Sequence, residues 1–207
     1  MTANLPASNP IQRWPLPYED LLDARPLAQI DLVVIHCTEL PDLAMARDYG
    51  QRVLYPKFPD GRGTGNSGHY YLDRDGGTFE FARPEAIAHH VRGYNPRSLG
   101  IELVNTGRYP HWLDSRHQAM DEPYPSAQID ALIALLAHLR TLCPNLRQIA
   151  GHEDLDTEQV PASDDPTLPV ARKRDPGPLF PWPQVLAATP LRPIAADDAT
   201  PRALPGS

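Results

Sequence analysis

The 207-residue chain is poor in cysteine, in cationic relative to anionic residues, and in long apolar runs. Two cysteines, Cys37 and Cys143, cannot build a disulfide framework, so the chain suits a reducing compartment. Lys and Arg number 19 against 26 Asp and Glu, a net charge of −7 that favours solubility and speaks against nucleic acid as a partner. No apolar run is long enough to cross a bilayer, and the N-terminal stretch has neither the basic nor the apolar region of a signal peptide. These absences predict a cytoplasmic monomer without membrane contact. Proline, by contrast, is plentiful: 25 residues, gathered near the ends and in connecting segments. With 41% hydrophobic residues, the composition fits one sizeable core wrapped in long ordered loops.

The organising stretch is Asp31-Leu-Val-Val-Ile-His36. Its four consecutive apolar residues predict a strand covered on both faces, in the middle of a sheet and ending in an imidazole. Before it, residues 1–22 read as an extended arm broken by Pro15 and Pro17, with Trp14, Leu16, Tyr18, Leu21 and Leu22 available to lie on the domain. A helix capped by Asp42 is expected within 41–54, followed by a Gly-rich loop over 56–68. The segments 68–74 and 77–81 are joined by Asp75-Gly76 and predict an antiparallel hairpin. A short strand is expected at 86–90.

Leu99-Gly-Ile-Glu-Leu-Val104 alternates, which sets Glu102 on the face opposite Ile101. A carboxylate in so apolar a strand needs either an ion pair, with Arg92 or Arg97, or a polar site on that face. The clearest helix spans 126–143, with Ile129, Leu132, Ile133, Leu136 and Leu139 on one stripe and Pro144 as its stop. It should pack behind the sheet, with His138 on the surface. A strand at 146–150 leads into Gly151-His152. The acidic, proline-broken run that follows reads as a mobile loop. Residues 187–207, rich in Ala and Pro, read as a flexible tail.

His36 and His152 each follow a strand, and Asp175 opens a rigid Pro-Gly-Pro turn. Two imidazoles and a carboxylate suffice to hold a catalytic zinc with its fourth position open to water. Glu102 is then the candidate to take a proton, and Lys173 the candidate to meet an oxyanion. Cys37 follows His36 directly, and on a strand it should point away into the core.

The segments DLVVIH (31–36), SGHYYLDRDG (67–76), LGIELVNTG (99–107), IAGH (149–152) and RKRDPGPLFPW (172–182) resemble the zinc-dependent N-acetylmuramoyl-L-alanine amidases of the AmpD and peptidoglycan-recognition type. The resemblance runs from about Asp23 to Trp182. It implies a single α/β domain over 23–186, with a central mixed sheet flanked by helices. It places the zinc ligands on His36, His152 and Asp175, the catalytic glutamate on Glu102 and the active-site lysine on Lys173. A substrate-side histidine falls on His90, with His89 beside it as the other choice. Arg172 and Arg174 either guide an anionic stem peptide or form a solvated charge run.

The implied partner is a muropeptide, the 1,6-anhydro-N-acetylmuramyl peptide of peptidoglycan recycling. Alternatives are a wall-lytic amidase, a binding module that cuts nothing, and a zinc peptidase acting on the stem. The chain departs from the family by an insertion at about 155–170, which separates His152 from Asp175 by 23 residues. Doubly wound nucleotide folds are disfavoured, because no Gly-rich turn follows the 31–36 strand.

Overall fold

The structure, a computed structural model, describes residues 10–194. In chain order its main elements are β1 (Gln12–Arg13), β2 (Leu32–Cys37), α1 (Leu43–Gly50), β3 (Tyr55–Pro56), β4 (Gly63–Thr64), β5 (Tyr70–Leu72), β6 (Thr78–Glu80), β7 (Ser98–Leu103), α2 (Ser126–Leu142), β8 (Gln148–Gly151), α3 (His152–Leu155), β9 (Gln159–Pro161), β10 (Pro169–Ala171), α4 (Trp182–Ala188) and β11 (Arg192–Pro193). One seven-stranded sheet has the order β1-β6-β5-β7-β2-β8-β11. β2 is buried along its whole length and runs parallel to both neighbours, β7 and β8. The antiparallel pair β5–β6 confirms the hairpin read at Asp75-Gly76, and Gly76 takes the positive φ of 87° that this turn requires. The fold is therefore α/β, with a central mixed sheet and flanking helices.

Alternation decides which residues each face receives. Val33 and Ile35 of β2, with Leu99, Ile101 and Leu103 of β7, face α2 and pack on Ile129, Leu132, Leu136 and Leu139. Burying each such side chain contributes about 1.5–3 kcal/mol, so this layer is the main anchor of the sheet. His138 is exposed, as its place off the stripe predicts. The opposite face carries His36 and Glu102, which are partners in the β2–β7 register. Its lower part is covered by Val91 and Tyr94 packed on Leu32, Val34 and Ala150. α1 is capped as expected, with the Met45 N–H donating to Asp42 Oδ1 at 2.7 Å.

Several expectations change. Residues 56–68 contain a small hairpin, β3 with β4, rather than a plain loop. The strand expected at 86–90 reduces to two single bridges, Ala24 to Ala86 and Asn66 to His89. The run after His152 is ordered: β9 and β10 pair antiparallel and bury Ala162 and Val170. The Ser163 N–H donates to Leu113 O at 2.8 Å, and Asp164 accepts from Ser115, so this hairpin is docked and not a free lid.

Within the expected tail, residues 187–194 finish α4 and add β11 to the edge of β8, with Leu191 buried. Pro193 is admissible there because an edge strand can spare its N–H. Of the N-terminal arm, Leu16, Tyr18 and Leu22 are buried against Tyr71 and Phe81. Residues 1–9 of the arm and 195–207 of the tail lie outside the described residues.

Candidate active site

Three short pieces of backbone meet at the C-terminal ends of β2 and β8. β2 delivers His36, the first turn of α3 delivers His152, and the turn after Arg174 delivers Asp175. Asp175 Oδ2 lies 2.9 Å from His36 Nδ1 and 3.0 Å from His152 Nδ1. All three side chains are buried, and one donor atom from each falls within 4.8 Å of the others. A tetrahedral zinc with bonds of about 2.0–2.2 Å sets its donors about 3.3 Å apart, so the spacing fits. Asp175 Oδ1 is buried with no hydrogen-bond partner. An orphaned carboxylate oxygen is expensive, and a cation beside it removes the expense. The donor set and the orphaned oxygen both fit a metal held by His36, His152 and Asp175.

The electrostatics agree. Burial alone would raise the Asp175 carboxyl, but His152 and His36 outweigh it and hold the group well below its usual range. Burial, reinforced by His152, pushes His36 down to about 4, so its imidazole is neutral at pH 7, as a ligand must be. Burial also raises the Cys37 thiol, with Asp175 and Glu39 adding to the effect. Cys37 is buried and is not one of the converging donors, so it packs in the core as expected.

Glu102 faces the same space from β7. Its carboxyl is raised well above the ordinary value, first by burial and then by the Asp175 charge, while Lys173 opposes the rise. The ion-pair explanation for Glu102 does not hold. Arg97 is committed to Asp31 at 2.6 and 2.8 Å and to Gln148, and Arg92 pairs with Glu158 at 2.9 Å. Glu102, Lys173 and the three donors line one cavity of about 800 Å³. A second cavity, of about 400 Å³, opens at the far end of the strands beside Asp31 and Arg97 and contains no histidine.

The structure places the expected substrate contacts differently from one another. Arg174 does not line the cavity; its guanidinium donates to Gln118 O at 2.8 Å. His90 reaches the cavity, but both ring nitrogens are engaged inside the protein, Nδ1 at 3.0 Å from His36 Nε2 and Nε2 at 3.2 Å from Ser98 Oγ. Its neighbour His89 packs edge-on to Tyr55. Arg172 does line the cavity and is not a solvated charge, because Asp156 and Glu158 both hold it.

The outer wall was not foreseen. Tyr49, Tyr55 and Trp112 form it, together with Arg108, whose guanidinium is clamped by both oxygens of buried Glu39 at 2.7 and 2.9 Å. The signal available was a tryptophan inside a polar connector.

The family described as N-acetylmuramoyl-L-alanine amidase (Amidase_2) matches residues 26–178. The amidase AmiD of Escherichia coli is 37% identical over 91 residues, a stretch that covers 44% of this chain and only 27% of that protein. Among solved structures, AmpD aligns with a TM-score of 0.58 at 23% identity, over 91% of this chain and 99% of that one. AmiD of Escherichia coli, in complex with the substrate anhydro-N-acetylmuramic acid-L-Ala-D-gamma-Glu-L-Lys, aligns with a TM-score of 0.54 at 24% identity, over 77% of this chain and 57% of that one.

Proposed function

The chain belongs to the N-acetylmuramoyl-L-alanine amidase family, and we propose that it hydrolyses the amide between N-acetylmuramic acid and the L-alanine of a stem peptide, using zinc held by His36, His152 and Asp175. The observation that carries this reading is the position and state of Glu102. Its carboxyl sits opposite His36 in register, beside three converging metal donors, with its pKa raised by burial and by the Asp175 charge.

A zinc held by His36, His152 and Asp175 would supply Lewis-acid polarisation of a carbonyl and a water nucleophile near neutral pH. Glu102 removes the proton of the attacking water and hands it to the departing alanine nitrogen, which would otherwise leave as an anion. The Lys173 ammonium lines the same cavity and would meet the charge that develops on the carbonyl oxygen; losing one such donor costs about 3 kcal/mol of barrier. Arg172 is fixed by Asp156 and Glu158, so it presents an ordered N–H edge to the cavity wall. The aromatic rings of Tyr49, Tyr55 and Trp112 offer apolar faces to the sugar.

For the substrate we favour the small 1,6-anhydro-muropeptide of peptidoglycan recycling. A cavity of about 800 Å³ is of the size that encloses a small ligand. The Arg92–Glu158 ion pair links the segment before β9 to Arg92 on the cavity wall. Two experiments test the reading. Glu102→Gln should retain zinc and lose about 10²–10⁴-fold in turnover, whereas Asp175→Ala should lose the zinc itself. Release of peptide should be faster from anhydro-muropeptides than from insoluble sacculi; comparable release from sacculi would move the protein to wall lysis. The accompanying expectation of a cytoplasmic enzyme is tested by cell fractionation.

A further inference from the structure

Glu39 and Arg108 form a buried ion pair in the wall of the site cavity, 6% and 3% exposed. A guanidinium has five N–H groups, and here each has an acceptor. Nε and Nη2 donate to the two Glu39 oxygens at 2.7 and 2.9 Å. Nη1 donates to Ala171 O at 2.9 Å and to Gln118 Oε1 at 3.2 Å, and Nη2 reaches Arg172 O at 3.4 Å. One side chain thus joins the loop after β2, the connector after β7 and the backbone that leaves β10.

The backbone is bent to suit this pair. Among the described residues Glu39 is the one non-glycine with a positive φ, 49°, a conformation that a Cβ makes costly. Gly107 lies so close that a Cβ there would come within 2.6 Å of Glu39 Cγ. The Trp112 indole N–H donates to Glu39 O at 3.1 Å. A buried ion pair seldom stabilises a fold more than apolar side chains of the same volume would. Apolar side chains, however, cannot grip two carbonyls of another segment.

Those two carbonyls lie just ahead of Lys173. Among the described residues no hydrogen bond or ion pair holds the Lys173 ammonium, so its place in the cavity is set by the backbone beneath it. Asp175 is secured separately: the Glu153 N–H donates to Asp175 O at 3.0 Å, and the Tyr124 hydroxyl to Pro176 O at 2.6 Å. We infer that Glu39 and Arg108 are positioning residues, a clasp on residues 171–172 that aims Lys173 into the cavity. The part given to Lys173 rests on the amidase reading of the site.

The experiment uses the full chain loaded with zinc and four variants. Glu39→Met/Arg108→Met removes both charges together and leaves neither partner buried alone, so it should melt close to wild type. Arg108→Lys keeps a charge opposite Glu39 but lacks the planar fork that spans two carbonyls. Lys173→Ala is made alone and on top of the double Met variant. On a muropeptide the double Met variant should lose about 10–100-fold in kcat with KM little changed, since a misaimed donor is missed only in the transition state. Arg108→Lys should fall between it and wild type. With Lys173→Ala already present, the Met pair should cost nothing further. Hydrogen exchange should be about 10-fold faster at 171–174 of the double Met variant and unchanged in β2. Its zinc affinity, read by titration against a chelator, should match wild type, because Asp175 has its own supports.

Wild-type kcat or unchanged exchange at 171–174 in the double variant overturns the clasp, as does a loss that adds to that of Lys173→Ala. A zinc affinity that falls along with kcat overturns the assignment to Lys173. Arg108→Lys, which retains an ion pair, carries the same readouts should the double variant not fold. A wild type that hydrolyses no muropeptide overturns the amidase reading alone, because exchange at 171–174 still tests the clasp.

Discussion

Gly100→Ala is a single-methyl test of how tightly the layer under the site is packed. On β-strand propensity alone the change should help, since glycine inside a strand costs about 0.5–1 kcal/mol relative to alanine. The local geometry says otherwise. The new Cβ would stand 2.6 Å from His90 Cγ, 2.7 Å from Nδ1 and 3.0 Å from Cδ2, well inside van der Waals contact. The ring cannot swing aside cheaply, because Asn95 holds the backbone on either side of the His90–Val91 peptide. Overpacking of this kind costs about 1–3 kcal/mol, and a displaced ring also forfeits a hydrogen bond of about 0.5–1.5 kcal/mol. The clash wins, with a net loss of about 1–3 kcal/mol. At about 2–4 °C per kcal/mol for a chain of this size, that lowers the melting midpoint by several degrees. The double variant Gly100→Ala/His90→Ala gives the methyl its space, so the two losses should fall short of additive by about 1 kcal/mol or more. Thermal denaturation of the four proteins reads this directly. A single variant that melts at or above wild type, or losses that simply add, would refute the packing argument.

Other perturbations follow from the same structure. Leu136, fully buried between α2 and the sheet, should cost about 2–5 kcal/mol on replacement by Ala, as read by urea denaturation. Burial, with Arg25 adding, holds His69 down at about 3. Between pH 6.5 and about 3 the unfolded chain binds this proton and the folded chain does not, so stability rises with pH across that window and is lost on acidification. The loss is about 1.4 kcal/mol per pH unit from this side chain, and urea midpoints of wild type and His69→Gln at pH 7 and 5 should show a shallower slope in the variant. Replacing 159–171 with a short Gly-containing turn should lower the melting midpoint, because it exposes what Ala162 and Val170 cover; unchanged melting would mean the hairpin is only ornament. Arg172→Ala should raise KM for a muropeptide while Arg174→Ala leaves it unchanged, since only the former lines the cavity.

The parts of the fold that could be read in the sequence were those with a strong period or a rigid turn. The 32–35 run, the stripe from Ile129 to Leu139 and the Asp75-Gly76 turn each state their structure within a few residues. His36, His152 and Asp175 were legible as ends of strands and a turn, yet their convergence depends on two parallel pairings that no local pattern encodes. The misreadings have physical causes. β9, β10 and β11 are each two or three residues long, too short for alternation to show against a proline-rich background. Arg172 to Arg174 looked like one charge run, but successive side chains diverge: one meets Asp156 and Glu158, the other the Gln118 carbonyl. His90 was legible as a residue near the site, but not as the partner of His36, because the glycine that admits its ring lies on another element.

His152 and Asp175 meet at 3.0 Å although they lie 23 positions apart in the sequence. Each is anchored on its own side: His152 grows out of β8, and Asp175 precedes Phe180 and α4, which are seated in the core beneath the sheet. β11 then returns to pair with β8, closing the circuit from the other end. The intervening hairpin is therefore not what holds the two side chains together. Closing the chain between them is a small term, since doubling a flexible loop adds only about 0.6 kcal/mol of closure entropy. What the hairpin contributes to stability is its own packing through Ala162 and Val170. A chain built this way can change the segment that leads up to Arg172 on the cavity wall while the donor atoms stay where they are.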